Sequence, residues 1–186
     1  PMEPSRAMYR HMLDEGADIA VNCGDLADDG DRYIDARVFF ADGPIAILGG
    51  NGLPFFTTWG NHDVPESAII RKYTDLPSKD RGPPFNGGYG SYSFDYAGCH
   101  FICIDYLREY FDIPEWVEED LQSPEARAAR FTFLFIHRPP YIERWYYGQG
   151  NLREYLVPLM ECYGVDVCFS GHLHSYQRGF QNGVYY

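Results

Sequence analysis

The chain has 186 residues, with 27 Asp and Glu against 15 Lys and Arg, a formal charge of −12, and 45% hydrophobic residues that include 16 Tyr and 13 Phe. That length suits one domain with a real core. The acidic balance, with Arg and Lys scattered rather than striped, excludes a surface that binds nucleic acid by neutralising phosphates. No apolar run approaches the roughly 20 residues that span a bilayer, so the sequence reads as a soluble domain.

In chain order, Glu3 to Glu15 places Met8, Met12 and Leu13 near helical spacing and closes on Gly16, which predicts a helix. Asp18 to Cys23 is a short, mostly apolar run ending in Gly24-Asp25, the pattern of a buried strand that delivers a polar residue at its carboxyl end. A second helix is predicted from near Asp31 with Ile34, Val38 and Phe39 on it, then a strand from Leu53 to Trp59 running into Gly60-Asn61-His62-Asp63. A short helix (Pro65 to Tyr73) and a Pro/Gly-rich loop (Pro77 to Gly90) follow. Ser91 to Tyr96 and His100 to Asp105, joined by Ala97-Gly98, predict a hairpin. Ile113 to Arg130 reads as one amphipathic helix carrying Trp116, Val117 and Leu121, and Phe131 to Ile136 as an apolar strand leading to His137. Asn151 to Tyr163 reads as a helix, and Val165 to Phe169 as a strand running into Ser170-Gly171-His172-Leu173-His174. The whole predicts one α/β domain with two sheets packed face to face, because the hairpin interrupts the alternation.

Four strands thus end in Asp, Asn/His, His and His/His, and in open α/β sheets that edge is where ligands bind. His11, on the first helix, and His100, at the start of a strand, both keep the ordinary reading of a surface or satisfied core histidine. His62, His137, His172 and His174 follow strands and sit beside glycines that let the chain turn sharply. With Asp25 and Asn61 they form a donor set of oxygen and imidazole without thiolate, suited to Mn²⁺, Fe²⁺ or Zn²⁺ at a hydrolytic site. Five cysteines (Cys23, Cys99, Cys103, Cys162, Cys168) are odd in number and lack zinc-type pairing, which predicts buried free thiols and leans towards a reducing, cytoplasmic compartment.

Gly24-Asp25, Gly60-Asn61-His62-Asp63, the strand ending in His137 and Gly171-His172-Leu173-His174 resemble, in that order, the metal-binding motifs of calcineurin-like metallophosphoesterases. His137-Arg138-Pro139-Pro140-Tyr141, the run from His172 to Arg178, and the Trp116 helix are most similar to the purple acid phosphatase branch. The resemblance implies a two-sheet sandwich flanked by helices, with the site at the carboxyl ends of the strands. It implies two divalent or mixed-valence metal ions (Mn, Fe or Zn) bridged by Asp25. One would also take Asn61, His137 and His172. The other would take His174 and an aspartate of an Asp-x-Gly or Asp-x-His motif on a strand before the first helix. By that comparison residues 1–186 are a single but incomplete domain, lacking that strand before Pro1 and the terminal strands after Tyr186. The implied reaction is hydrolysis of a small phosphorylated substrate by a metal-activated hydroxide, with His62 protonating the leaving oxygen. A phosphomonoesterase is favoured. A phosphodiesterase shares the site, and a noncatalytic scaffold of the same fold is the reading from another class, against which every filled motif argues. Relatives in the purple branch are often exported, so localisation stays open, as does oligomeric state.

Two departures refine the expectation. The purple branch has a tyrosinate ligand where this chain has Asp28; instead Gly24 to Gly30 is similar to the Gly-Asp-x-x-Asp-x-Gly pattern of protein serine/threonine phosphatases. That similarity implies that Asp28 pairs with His62 and raises its basicity, the alternative being that Asp28 and Asp29 are solvated loop acids. Asp29 stands where those phosphatases place an arginine, so a protein substrate is not favoured. Trp145-Tyr146-Tyr147-Gly148 replaces a His pair of the purple branch and would line a substrate pocket or simply pack. Arg138 and Arg178, near the ligands in sequence, are the candidates for gripping phosphate, surface ion pairs being the other reading. Asp25, Asp28, Asp29, Asp31 and Asp63 are expected to concentrate negative charge that bound cations would offset.

Overall fold

The computed structural model describes residues 3–63, 91–105, 113–143 and 150–186. Helix α1 (Glu3–Asp14) leads to strand β1 (Ala20–Asn22), helix α2 (Tyr33–Arg37), a π-helical turn (Val38–Asp42), helix α3 (Pro44–Ile47), a 3-10 turn (Gly49–Asn51) and strand β2 (Phe55–Thr57). Strands β3 (Tyr92–Tyr96) and β4 (Cys99–Cys103) form the hairpin. Helices α4 (Ile113–Leu121) and α5 (Pro124–Ala128) precede strand β5 (Phe131–Ile136). Helices α6 (Gly150–Tyr155) and α7 (Val157–Tyr163) precede strand β6 (Val167–Ser170) and the short pair β7 (Phe180–Gln181) and β8 (Val184–Tyr185).

β1 and β2 pair in parallel, and the other six strands form a sheet in the order β3-β4-β5-β6-β8-β7. Within it β4, β5 and β6 are parallel neighbours. Side chains alternate across each strand, so the period of two sorts the residues into layers. Phe101, Cys103, Phe133 and Phe135 face Ile19, Val21 and Phe56 of the small sheet. The contact continues as a ladder of rings: Phe56 on Phe94 at 4.1 Å, Phe94 on Phe101 at 4.8 Å, and Phe135 on Phe169 at 5.0 Å. The opposite face of the large sheet buries Ile102, Leu134, Ile136 and Cys168 against α4, α6 and α7 through Trp116, Val117, Leu152, Leu156 and Met160. α1 covers the small sheet through Tyr9, Met12 and Leu13. The result is helix, sheet, sheet, helix, the two-sheet sandwich that the sequence predicts.

The predicted helix over Ile113 to Arg130 is two. Ser123 is extended, its hydroxyl accepts from the Ala126 N–H at 3.1 Å, and Pro124 opens α5, so Ser-Pro ends one helix and caps the next. Pro158 breaks the 151–163 helix in the same way, since it has no N–H to give to the preceding turn. Ile34 is exposed rather than in the core, where Ala36 and Phe39 lie. The expected helix 65–73, the loop 77–90 and the aromatics 145–148 lie outside the described residues. All five cysteines are free; Cys103 and Cys168 are buried, but Cys162 is exposed. No described helix is long and apolar enough to cross a membrane.

At the end of the sheet away from the ligand-bearing loops, His100 is fully buried. Its Nδ1 meets Asp95 Oδ1 and its Nε2 meets Asp120 Oδ2, each at 2.7 Å, and Ser93 Oγ donates to Asp120 Oδ1 at 2.5 Å. This satisfied core histidine ties the β3–β4 hairpin to α4.

Candidate metal centre

Parallel strands present their carboxyl ends at one edge, and four of them deliver the candidate ligands there: β1 leads to Asp25, β2 to Asn61, β5 to His137 and β6 to His172. His137 is fully buried. Its Nδ1 lies 2.7 Å from the carbonyl oxygen of Cys23. A carbonyl only accepts, so Nδ1 carries the proton and Nε2 presents a lone pair. Around Nε2 lie Asn61 Oδ1 at 3.0 Å, His172 Nδ1 at 3.2 Å and Asp25 Oδ2 at 3.2 Å. Acceptors from four strand-end loops therefore converge on one point, which is unfavourable unless a cation sits among them. Asp25, His137 and His172 offer ligand atoms that all lie within 4.8 Å of one another.

Electrostatics favour the metal-binding protonation states. Burial, together with the positive charges that His137 and Arg138 can carry, holds His172 below the usual imidazole range, so it is neutral at neutral pH. Burial would push the Asp25 carboxyl up, but the His137 ring beside it, which can carry a positive charge, and the His62 N–H that it accepts outweigh this and hold the group below the ordinary carboxylate range.

The loops after β1 and β2 are sewn together. The His62 N–H donates to Asp25 Oδ1 at 3.0 Å, and the Gly30 N–H donates to the His62 carbonyl at 2.9 Å. Gly24 and Gly60 make this approach feasible: a Cβ on Gly24 would lie 2.6 Å from the Gly60 nitrogen, and one on Gly60 would lie 2.5 Å from the Asp25 nitrogen. Gly60→Ala is therefore expected to leave a folded chain that has lost its divalent-metal affinity, since the methyl must displace Asp25. Circular dichroism alongside a Mn²⁺ titration checks this, and undiminished affinity would refute the close packing. Asp25, His172 and His174 have φ of +53°, +69° and +50°. Three candidate ligands thus hold a left-handed backbone that is uncommon outside glycine, as strained functional positions often do.

Asp63 differs from expectation. It is fully buried, with Oδ1 accepting from the Leu26 N–H at 2.8 Å and Oδ2 from the Gly60 N–H at 2.9 Å. It is an internal strut rather than one of the acids facing the site. Burial pushes its carboxyl up to about 6 against the pull of those amides. The Asp28–His62 pairing also takes another form. His62 Nδ1 lies 2.7 Å from the main-chain carbonyl oxygen of Asp28, and the Asp28 carboxylate has no part in that bond. The carbonyl fixes the Nδ1–H tautomer and leaves Nε2 for proton exchange. His174 is exposed and lies outside the converged set, within electrostatic reach of His172. Arg138, half-buried, acts on His172 electrostatically, whereas Arg178 lines a cavity of about 370 Å³ with Tyr141, Leu173 and Phe180.

The model of the calcineurin-like phosphoesterase family matches residues 3–176. The chain belongs to that family. Among curated relatives it is 28% identical over 141 residues to purple acid phosphatase 18 of Arabidopsis thaliana, covering 67% of this chain and 31% of that one. It is 26% identical over 161 residues to an acid phosphatase of Aspergillus ficuum, covering 61% and 26%. This calcineurin-like phosphoesterase chain thus spans about a third of the length of the curated relatives it matches, or less. Its fold matches the purple acid phosphatase from yellow lupin (Lupinus luteus) seeds with a TM-score of 0.69 at 23% identity, over 96% of this chain and 34% of that one. It also matches GAP50, titled the anchor in the inner membrane complex of Plasmodium, with a TM-score of 0.68 at 19% identity, over 99% and 64%.

For a calcineurin-like phosphoesterase the donor set fits a metal. Separations of 3.0 to 3.2 Å between donors match the edge of a coordination polyhedron whose metal–ligand bonds are about 2.0–2.2 Å. Motif reading missed two contributors: the Cys23 carbonyl, which fixes the His137 tautomer, and Asp63. A main-chain acceptor leaves no trace in residue identity, but the acid after Asn61-His62 was visible.

Proposed function

We propose that this chain is part of a metal-dependent phosphoesterase that hydrolyses phosphomonoesters, in the manner of an acid phosphatase. The observation that carries this is the convergence of Asp25, Asn61 and His172 on the Nε2 of His137, with the other ring nitrogen committed to the Cys23 carbonyl. Asp25, Asn61, His137 and His172 would hold one cation; Asp25 and His174, with a ligand from outside this chain, would hold a second. Bound metal would neutralise the phosphate and activate water. The chain's own residues supply the rest. Arg138 grips a phosphate oxygen, and the Cys23 carbonyl keeps the His137 lone pair aimed inward. His62, anchored at Nδ1 by the Asp28 carbonyl, carries a proton on Nε2 to the leaving oxygen.

An aryl monophosphate and an aryl phosphodiester assayed with Mn²⁺ on the full-length protein test this. Faster turnover of the monoester supports the reading, and preference for the diester moves the assignment to phosphodiesterase. His62→Gln is expected to lower kcat by roughly 10²–10⁴-fold with Mn²⁺ affinity unchanged. Asp28→Asn should leave kcat near wild type, because the carbonyl remains. A large loss in Asp28→Asn with none in His62→Gln would overturn the proton-transfer assignment. The likeness to the Plasmodium anchor protein supports a second reading, a noncatalytic scaffold; absence of divalent-metal binding in the full-length protein would favour it.

A further inference from the structure

We propose that Asp63 is a positioning residue that fixes Asp25, a candidate metal-ligand carboxylate, without itself being a ligand. The inference rests on the reading of Asp25 as a ligand. Asp25 holds a φ of +53°, a left-handed conformation uncommon outside glycine that persists only where its surroundings impose it. Those surroundings are two carboxylates exchanged between two loops. Asp25, on the loop after β1, accepts the His62 N–H at 3.0 Å from the loop after β2. Asp63, on the loop after β2, accepts the Leu26 N–H at 2.8 Å from the loop after β1. Each loop's aspartate thus satisfies the other loop's backbone.

The Leu26 N–H belongs to the peptide that immediately follows Asp25, so Asp63 Oδ1 pins the plane that sets Asp25's ψ. Its second oxygen holds the Gly60 N–H at 2.9 Å, which fixes the backbone just ahead of Asn61, another candidate ligand. One buried side chain therefore orients the backbone at two ligands at once. Remove it, and a half-buried Leu26 N–H that has lost its partner favours rotation of the Asp25–Leu26 peptide. The Asp25 carboxylate then swings off His137 Nε2, now 3.2 Å away. A carboxylate is required because both partners donate: an amide at this position would turn one N–H₂ against a backbone N–H.

The test uses the full chain and compares wild type, Asp63→Asn, Asp25→Asn and Met160→Ala, a core variant distant from the loops that serves as a control for lost stability. Mn²⁺ affinity and the visible absorption of bound Co²⁺ are measured with the thermal midpoint of each metal-free variant. Asp63→Asn is expected to lose roughly 10–100-fold in Mn²⁺ affinity, the range for partners that orient ligands, and to shift the Co²⁺ bands. Met160→Ala should keep wild-type affinity and spectrum at a comparable or larger loss of midpoint. Wild-type affinity in Asp63→Asn, or a loss no greater than in Met160→Ala, would overturn the proposal. If Asp63→Asn binds normally while Asp25→Asn does not, positioning fails and the ligand reading stands; equal affinity in wild type and Asp25→Asn fails both. Should Asp63→Asn not fold, amide exchange in the wild type decides: the Leu26 and Gly60 N–H groups should exchange slowly and slow further with Zn²⁺, and fast exchange at Leu26 would sink the proposal.

Discussion

Mn²⁺ at about 100 times its Kd is expected to stabilise the metal-free chain by about 2.7 kcal/mol, roughly 5–10 °C in thermal midpoint for a chain of this size. The gain arises because the unfolded chain presents no converged site, so binding free energy becomes folding free energy. His137→Ala should abolish the shift. His137 is the hub: its Nε2 is the atom that Asn61, His172 and Asp25 all face. Its loss also leaves the Cys23 carbonyl without its donor and opens a void at a fully buried position. Mn²⁺ affinity should fall by more than the roughly 100-fold attached to losing an outer partner of a ligand. Calorimetric titration and thermal melts with and without Mn²⁺ read both effects, and His11→Ala, an exposed histidine on α1, is the control that should behave as wild type. A full Mn²⁺ shift in His137→Ala would show that the cation binds elsewhere.

The strand-end chemistry was legible because it is written in side chains. A run such as Phe131 to Ile136, apolar at every position but Thr132, has no reading except a buried strand, and the structure gives β5 those same bounds. Gly-Asp, Gly-Asn-His and Gly-His-x-His each pair a donor with the residue that lets the backbone turn. The helix breaks at Ser123-Pro124 and Pro158 were also written there, but the apolar rhythm of Leu152, Leu156 and Met160 runs across the second and hides it. Main-chain geometry was not legible. That His62 rests on the carbonyl of Asp28 rather than on its carboxylate, or that His172 and His174 hold positive φ, depends on how two loops meet, and the sequence records neither. Asp63 was misread for a related reason: an acid beside a histidine in a polar loop looks solvated until the neighbouring loop closes over it.

The same ambiguity makes His100 the strongest test of the fold away from the metal. His100→Ala is expected to cost about 3–5 kcal/mol near pH 6, a large share of the 5–15 kcal/mol typical of a domain, because it strands the buried Asp120 carboxylate. Both ring nitrogens face carboxylate oxygens at 2.7 Å, and with both carboxyls ionised the two contacts are hydrogen bonds only if the ring is an imidazolium. Burial alone would lower its pKa, but Asp120 and Asp95 outweigh that and raise it above the ordinary imidazole value of about 6.5. The folded state therefore holds a proton that the unfolded state has released over the interval between the two pKa values. The stabilisation is complete below about 6.5 and is lost as pH rises through the folded-state value. Urea unfolding of wild type and His100→Ala from pH 5.5 to 9 should show a gap that is widest at the acid end and narrows with rising pH. Asp63, with its carboxyl raised to about 6, adds its own slope at the acid end, but that slope is common to both proteins and cancels in their difference. A gap that stays constant across the range would mean that His100 is held neutral, with one of its two carboxylates carrying the proton instead.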